Sequence, residues 1–132
     1  MGISWWTQKN LFSYGILLKK ECYEETHNLP TTIAIWPDGT RKISAHEEWI
    51  RSRCDVGEQV LVLDVPGVGS LQQNHIWGGS PYKGGYGTLY HLCGDLMYMG
   101  DSMAAMHCYD VLRSIEMLQT VLGVKEDEIT LF

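Results

Sequence analysis

The sequence predicts an α/β protein, built on a partial parallel sheet with flanking helices in three layers. Residues 59–64, Gln-Val-Leu-Val-Leu-Asp, form an apolar run with β-branched side chains, bounded by Gly57 and by Pro66-Gly67. A strand covered on both faces has that composition, and such strands belong to parallel sheets. Residues 103–122 carry an apolar stripe at helical spacing, and Ile129-Thr-Leu-Phe132 opens a further apolar run. Strand and helix patterns that alternate in this way predict crossover units, which are right-handed.

The elements follow in chain order. Residues 1–10 hold Trp5 and Trp6 without period or caps and are expected to form an irregular arm. Residues 12–20 have strand character, and the polar stretch 21–28 suits a surface connection. Pro30 introduces a β-branched strand over 31–36, which Pro37-Asp38-Gly39 closes through a fixed φ at proline and a free φ at glycine. Ser44 and Glu47 have the spacing of a capping box, which predicts a helix over 45–53 with Ala45, Trp49 and Ile50 inward. Gly57 ends it before the central strand.

Residues 71–101 hold seven glycines and read as a long functional or disordered loop, with helical turns expected at 89–93 and 96–99. Asp101 or Ser102 caps the long helix over 103–122, with the stripe Ala104, Cys108, Val111, Leu112, Ile115, Leu118 and Leu122 inward and Gly123 as C-cap. The last strand begins at Ile129. A single partial domain over 1–132 is expected, with 1–29 a peripheral arm and strand and 30–132 the α/β core.

Composition narrows the function. The 132 residues carry a net charge of −6 without a Lys/Arg cluster, which disfavours nucleic acid. Neither a secretory leader nor a bilayer-spanning run is written in the sequence, so no membrane partner and a cytoplasmic setting are expected. Gly2 suggests a myristoylation start, but Trp6 stands where that motif requires Ser or Thr. Cys22, Cys54, Cys93 and Cys108 form no Cys-x-x-Cys pair and are expected to be free and mostly buried. His27, His46, His75, His91 and His107 form no His-x-x-x-His pair, so neither a metal nor a cofactor is expected. His75 and His91 draw attention because both lie in the long loop region.

In an open parallel sheet ligands bind at the carboxyl ends of the strands, which puts residues 64–70 on the functional edge. Asp64-Val-Pro66-Gly67 has the outline of a metal loop in GTP-binding proteins, but no phosphate-binding Gly-x-x-x-x-Gly-Lys-Ser/Thr accompanies it. Gly67-Val-Gly69 is followed by Gln72 where a dinucleotide fingerprint has its third glycine, and reads as a turn. Gly100-Asp-Ser102-Met-Ala104 has the outline of a nucleophile elbow, but residues 96–99 are a poor feeding strand, so Ser102 reads as a helix cap before a nucleophile. The segment 78–87 reads equally as a mobile lid or a disordered surface loop.

The strand ending Leu-Asp-x-Pro-Gly-x-Gly, the glycine-rich excursion and the helix segment Tyr109-Asp-Val-Leu-Arg113 leading to the strand at Ile129 together resemble the α/β-hydrolases. The acetyl xylan esterase and prolyl-peptidase-like branch is the nearest likeness, over about residues 30–132. The resemblance implies a truncated α/β-hydrolase fold and a parent activity of carboxylic ester hydrolysis by a Ser-His-Asp mechanism. It places Gly-x-Ser-x-Gly directly after the strand at Ile129 and the acid and histidine later still, so no catalytic residue of the triad is expected in this chain. Gly39 or Thr40 would supply an oxyanion donor from the loop after the strand at 31–36, while Asp64, Asp110 and Arg113 match structural positions.

Two other classes stay open: a non-catalytic binding or self-associating module, its exposed sheet edge inviting a second chain, and a divergent esterase with Ser102 as nucleophile.

Overall fold

A computed structural model of the chain describes residues 1–22, 28–72 and 87–132. Five strands form one mixed sheet in the order β1-β2-β4-β3-β5, with β1 Gly2–Gln8, β2 Leu11–Leu18, β3 Thr31–Ala34, β4 Gln59–Asp64 and β5 Ile129–Leu131. β3 is parallel to β4 and to β5, while β2 runs antiparallel to β4 and to β1. The parallel part is therefore the trio at 31, 59 and 129, as the apolar runs predict. An antiparallel hairpin extends it.

That hairpin corrects the reading of the first ten residues. Instead of an irregular arm, they form β1, with Trp5 opposite Ser13 and Trp6 opposite Phe12. The period-2 pattern is hidden in sequence because both indoles are adjacent, yet only Trp5 packs against the core while Trp6 is exposed. Asn10 takes a positive φ of 64° at the turn, a conformation asparagine tolerates better than most residues. Residues 12–20 were expected at the periphery, but β2 lies inside the sheet, between β1 and β4.

β4 is buried at all six positions. Its side chains alternate between two cores, as the pleat requires. Leu61 and Leu63 pack with Leu118 and Leu122, whereas Val60 and Val62 pack with Ile50 and Cys54. The first pair of partners belongs to α3, Met103–Leu122, and the second to α1, Glu47–Asp55. Burial of one such aliphatic side chain contributes about 1.5–3 kcal/mol, so these four positions alone are worth several.

The helix after β3 begins differently from its expected capping box. A 3-10 helix spans Gly39–His46, so the chain is already wound when it reaches Ser44, and α1 starts at Glu47 without a side-chain cap. The turns expected at 89–93 and 96–99 are one helix, α2, Thr88–Tyr98. None of the described helices is long and apolar enough to cross a membrane.

α3 has the expected limits, with Gly123 in the left-handed region at φ 68°. Its inward face is rotated from the expected stripe. Asp110, Ser114, Leu118 and Leu122 are the buried positions, while Cys108 and Leu112 face outward. Two polar residues at i and i+4 hide this face from an apolar count. Ser114 solves its burial by donating to the Asp110 carbonyl at 2.6 Å. The cysteines are also less buried than expected. Cys54 is buried and Cys93 half-buried, but Cys22 and Cys108 are exposed.

Burial raises the Asp110 carboxyl above its ordinary value, against the opposing effects of the Ser13 hydroxyl and of His107. A carboxyl that holds its proton more tightly when folded weakens the fold as pH climbs from the ordinary Asp value through the raised one. Asp110→Asn should therefore be more resistant to urea than the parent chain at pH 7, and the advantage should vanish by pH 3, where both side chains are neutral. Equal urea midpoints of the two proteins at pH 7 would contradict this.

Candidate functional site

The carboxyl end of β4 delivers Asp64 to the sheet edge, where the side chain is fully buried. Two loops meet over it. The first follows β3: Trp36 ends the strand region, and Gly39, at φ +54°, turns the chain so that Thr40 lies over β4. The second follows β4: Gly67 and Gly69, both at positive φ, lead into a 3-10 turn at Gly69–Leu71 that brings Ser70 back.

The carboxylate closes the junction. The Thr40 backbone N–H donates to Asp64 Oδ1 at 2.7 Å, and the Thr40 hydroxyl donates to Oδ2 at 2.6 Å. The Ser70 N–H donates to the same Oδ2 at 2.7 Å, and the Ser70 and Thr40 hydroxyls lie 3.1 Å apart. Because the Thr40 proton is used on Asp64, the Ser70 hydroxyl is the donor to Thr40. Charge-assisted bonds of this length are about twice as strong as neutral ones. A Cβ on either Gly39 or Gly69 would overlap Asp64 Oδ1, so glycine is required there for space as well as for φ. Arg41 adds an outer tie, donating to the Gln72 side-chain oxygen.

Of the residues singled out in sequence, Gly39 and Thr40 lie at this junction. The Gly39 N–H donates to the Trp36 carbonyl at 3.0 Å and the Thr40 N–H to Asp64, so each of these backbone donors already has an acceptor within the chain. Ser102 is the N-cap of α3. Its Oγ accepts from the Ala105 N–H at 3.1 Å, and its own N–H donates to Asp101 Oδ1 at 2.7 Å. The hydrogen bonds of Ser102 thus run to Ala105 and Asp101 and not to a histidine. Arg113 pairs with Glu116 one turn along α3.

His107 reaches the rim from α3, with Nε2 2.9 Å from the Pro66 carbonyl. That oxygen can only accept, so Nε2 carries the proton. His46 stacks on Trp36 with ring centroids 3.9 Å apart, on the α1 side of the sheet. His91 lies on α2, and His27, His75 and residues 78–86 of the glycine segment lie outside the described residues. Among the described residues, no group of three or more His, Cys, Asp or Glu side chains is placed to hold a metal ion.

Sequence reasoning missed the role of Ser70 and gave Asp64 a structural position without its partners. A signal was present: an Asp at the end of a buried strand, with no basic residue nearby in sequence, needs backbone donors, and glycines on the adjoining turns make room for them.

The mixed sheet with helices on it is an α/β architecture. No protein-family model and no curated protein sequence matches the chain. Among solved structures, the chain is similar to a "putative acetyl xylan esterase" from Bacteroides fragilis NCTC 9343, with a TM-score of 0.73 and 11% identity. The likeness covers 98% of this chain and 37% of that one, so the chain spans little more than a third of its neighbour's length. At that identity the likeness shows the fold alone.

Removing the Asp64 carboxylate strands two backbone N–H groups and a hydroxyl. Asp64→Ala should lower stability by about 3 kcal/mol on the usual penalty for unsatisfied buried donors. Gly69→Ala, strained in φ and overlapping Asp64, should lose at least ~2 kcal/mol. Denaturant melts of both variants check this, and a loss below ~1 kcal/mol in Asp64→Ala would show that the clamp contributes little.

Proposed function

We propose that this chain forms the amino-terminal and central part of an α/β-hydrolase of the carboxylesterase type, with an ester as the substrate of the whole protein. The observation that carries the reading is the likeness of nearly the entire chain to about a third of an esterase-named structure, together with the resemblance of residues 30–132 to that branch. The three parallel strands then supply a sheet edge at which an ester can be held, and the Asp64 junction sets the two rim loops against it.

In this reading the nucleophile, the general base and its orienting acid are carried outside residues 1–132. Ester hydrolysis on such a fold needs a serine activated by a histidine that a carboxylate orients. Ser102 is occupied as a cap, and its partners are a backbone amide and Asp101. Gly39 or Thr40 enters as an oxyanion donor only once its N–H leaves Trp36 or Asp64, a rearrangement that substrate or further chain would have to drive.

The chain alone should hydrolyse p-nitrophenyl acetate no faster than its heat-denatured control, and Ser102→Ala should leave that rate unchanged while costing about 1 kcal/mol of stability through the lost cap. Hydrolysis well above the control and abolished by Ser102→Ala would replace this reading with a divergent esterase that uses Ser102. Coding sequence beyond Phe132 that holds Gly-x-Ser-x-Gly within a few residues would support the parent activity directly.

We also propose that the outer edge of β5 pairs with a second chain. Among the described strands, β5 pairs only with β3, and Leu131 and Phe132 are exposed. Unpaired edges template association, and a charge on the edge discourages it. Sedimentation should show concentration-dependent association of the chain, weakened in Leu131→Lys. A monomer at all concentrations would exclude the contact.

A further inference from the structure

The tip of the β1–β2 hairpin, the turn after β4 and the first two turns of α3 line an open cavity of about 690 Å³, with α2 contributing one wall. That volume lies within the range of small-molecule sites, which are mainly apolar with a few placed polar groups. The walls follow that pattern. Phe12, Leu71, Leu92 and Met106 supply apolar surface, and two carboxyl groups, Asp101 and Asp110, complete the lining. No lysine, arginine or histidine is among the described lining residues. Tyr109, also at the wall, ties α3 to the hairpin by donating from its hydroxyl to the Thr7 carbonyl at 3.2 Å.

The two carboxyl groups differ in setting. Asp101 is exposed and accepts from the Ser102 N–H. Asp110 is 7% exposed, and no described lysine or arginine pairs with it. Its polar neighbours are the Ser13 hydroxyl, from a residue with no exposure, and His107. A carboxyl buried without a cation is costly, and a cation brought to it recovers that cost.

We infer that this cavity binds an organic ammonium: an aromatic or aliphatic body against Phe12, Leu71, Leu92 and Met106, with its charged nitrogen at Asp110 and Asp101 near the opening. The inference does not rest on the hydrolase reading, since Asp64 and an ester take no part in it; the cavity shares only the turn after β4 with the rim. It rests on shape and charge together. A neutral ligand of the same shape would leave the buried carboxyl as it is, and an anion would face two like charges. Burial that raises the Asp110 carboxyl in the empty protein adds to the selectivity, because an adjacent ammonium restores the ionised form.

The test uses the whole chain at pH 7 and three probes of one shape: 2-phenylethylamine, 2-phenylethanol and 3-phenylpropionate. Calorimetric titration should show the amine binding at least 10-fold more tightly than the alcohol, with the carboxylate weakest. Asp110→Asn should cut amine affinity at least 10-fold and leave the alcohol nearly unchanged. Ala105→Phe, which adds bulk to the cavity from α3 and keeps both carboxyl groups, should weaken both, and circular dichroism checks that each variant is folded. Equal affinity for amine and alcohol in the parent chain, or amine binding that survives both substitutions, would overturn the proposal. Should Asp110→Asn not fold, the ranking of the three probes on the parent chain and the Ala105→Phe result still decide it.

Discussion

A fully buried carboxylate persists only where donors surround it, and Asp64 meets that condition by drawing two loops onto itself. The side chain comes from the end of the most buried strand, so its position is set by the sheet. Thr40 and Ser70 come from separate segments, which meet at this carboxyl and at the outer Arg41–Gln72 tie. The rim of the sheet is thus tied to its centre through one ion, and both glycines that flank the ion exist because there is no room for a side chain. Residues 39–40 of the loop after β3 and 69–70 of the loop after β4 are thereby fixed relative to each other through the one carboxyl.

The opposite tendency governs Asp110. Here the carboxyl is buried at a cavity wall beside one hydroxyl and one imidazole, and among the described residues it has none of the backbone amides that serve Asp64. The two aspartates show how the same side chain is assigned to different work by its surroundings. One is saturated by the chain's own donors and fixes structure, while the other retains capacity for a partner. The glycines on the turns beside Asp64 hint at the first role, whereas the second arises from what the hairpin and α3 bring alongside Asp110.

What could be read in the sequence follows from which signals are local. The apolar run at 59–64 and the caps at Ser102 and Gly123 are local, and the strand and the helix lie within the limits they imply. β1 could not be read, because adjacent indoles mask its alternation and its pairing with β2 replaces any intrinsic preference. The inward face of α3 could not be read either, since Asp110 and Ser114 occupy it and an apolar count passes over them. The Asp64 junction needs contacts between residues 40, 64 and 70, which no spacing rule supplies.

The pairing of the strands also bears on how the molecule is assembled in time. β1 and β2 are joined by a tight turn and pair at once in sequence terms, whereas β5 must find β3 across most of the chain, with residue 129 set against residue 31. Loop-closure entropy opposes such distant contacts until the intervening segments are ordered. The hairpin therefore suits an early nucleus, and β5 a late addition, held beyond its own pairing with β3 by two backbone bonds at Phe132 and by the stacking of Phe132 on Trp49 of α1 at 4.3 Å. By the same reasoning β5, whose partner is the most distant in sequence, is the last of the described strands to join.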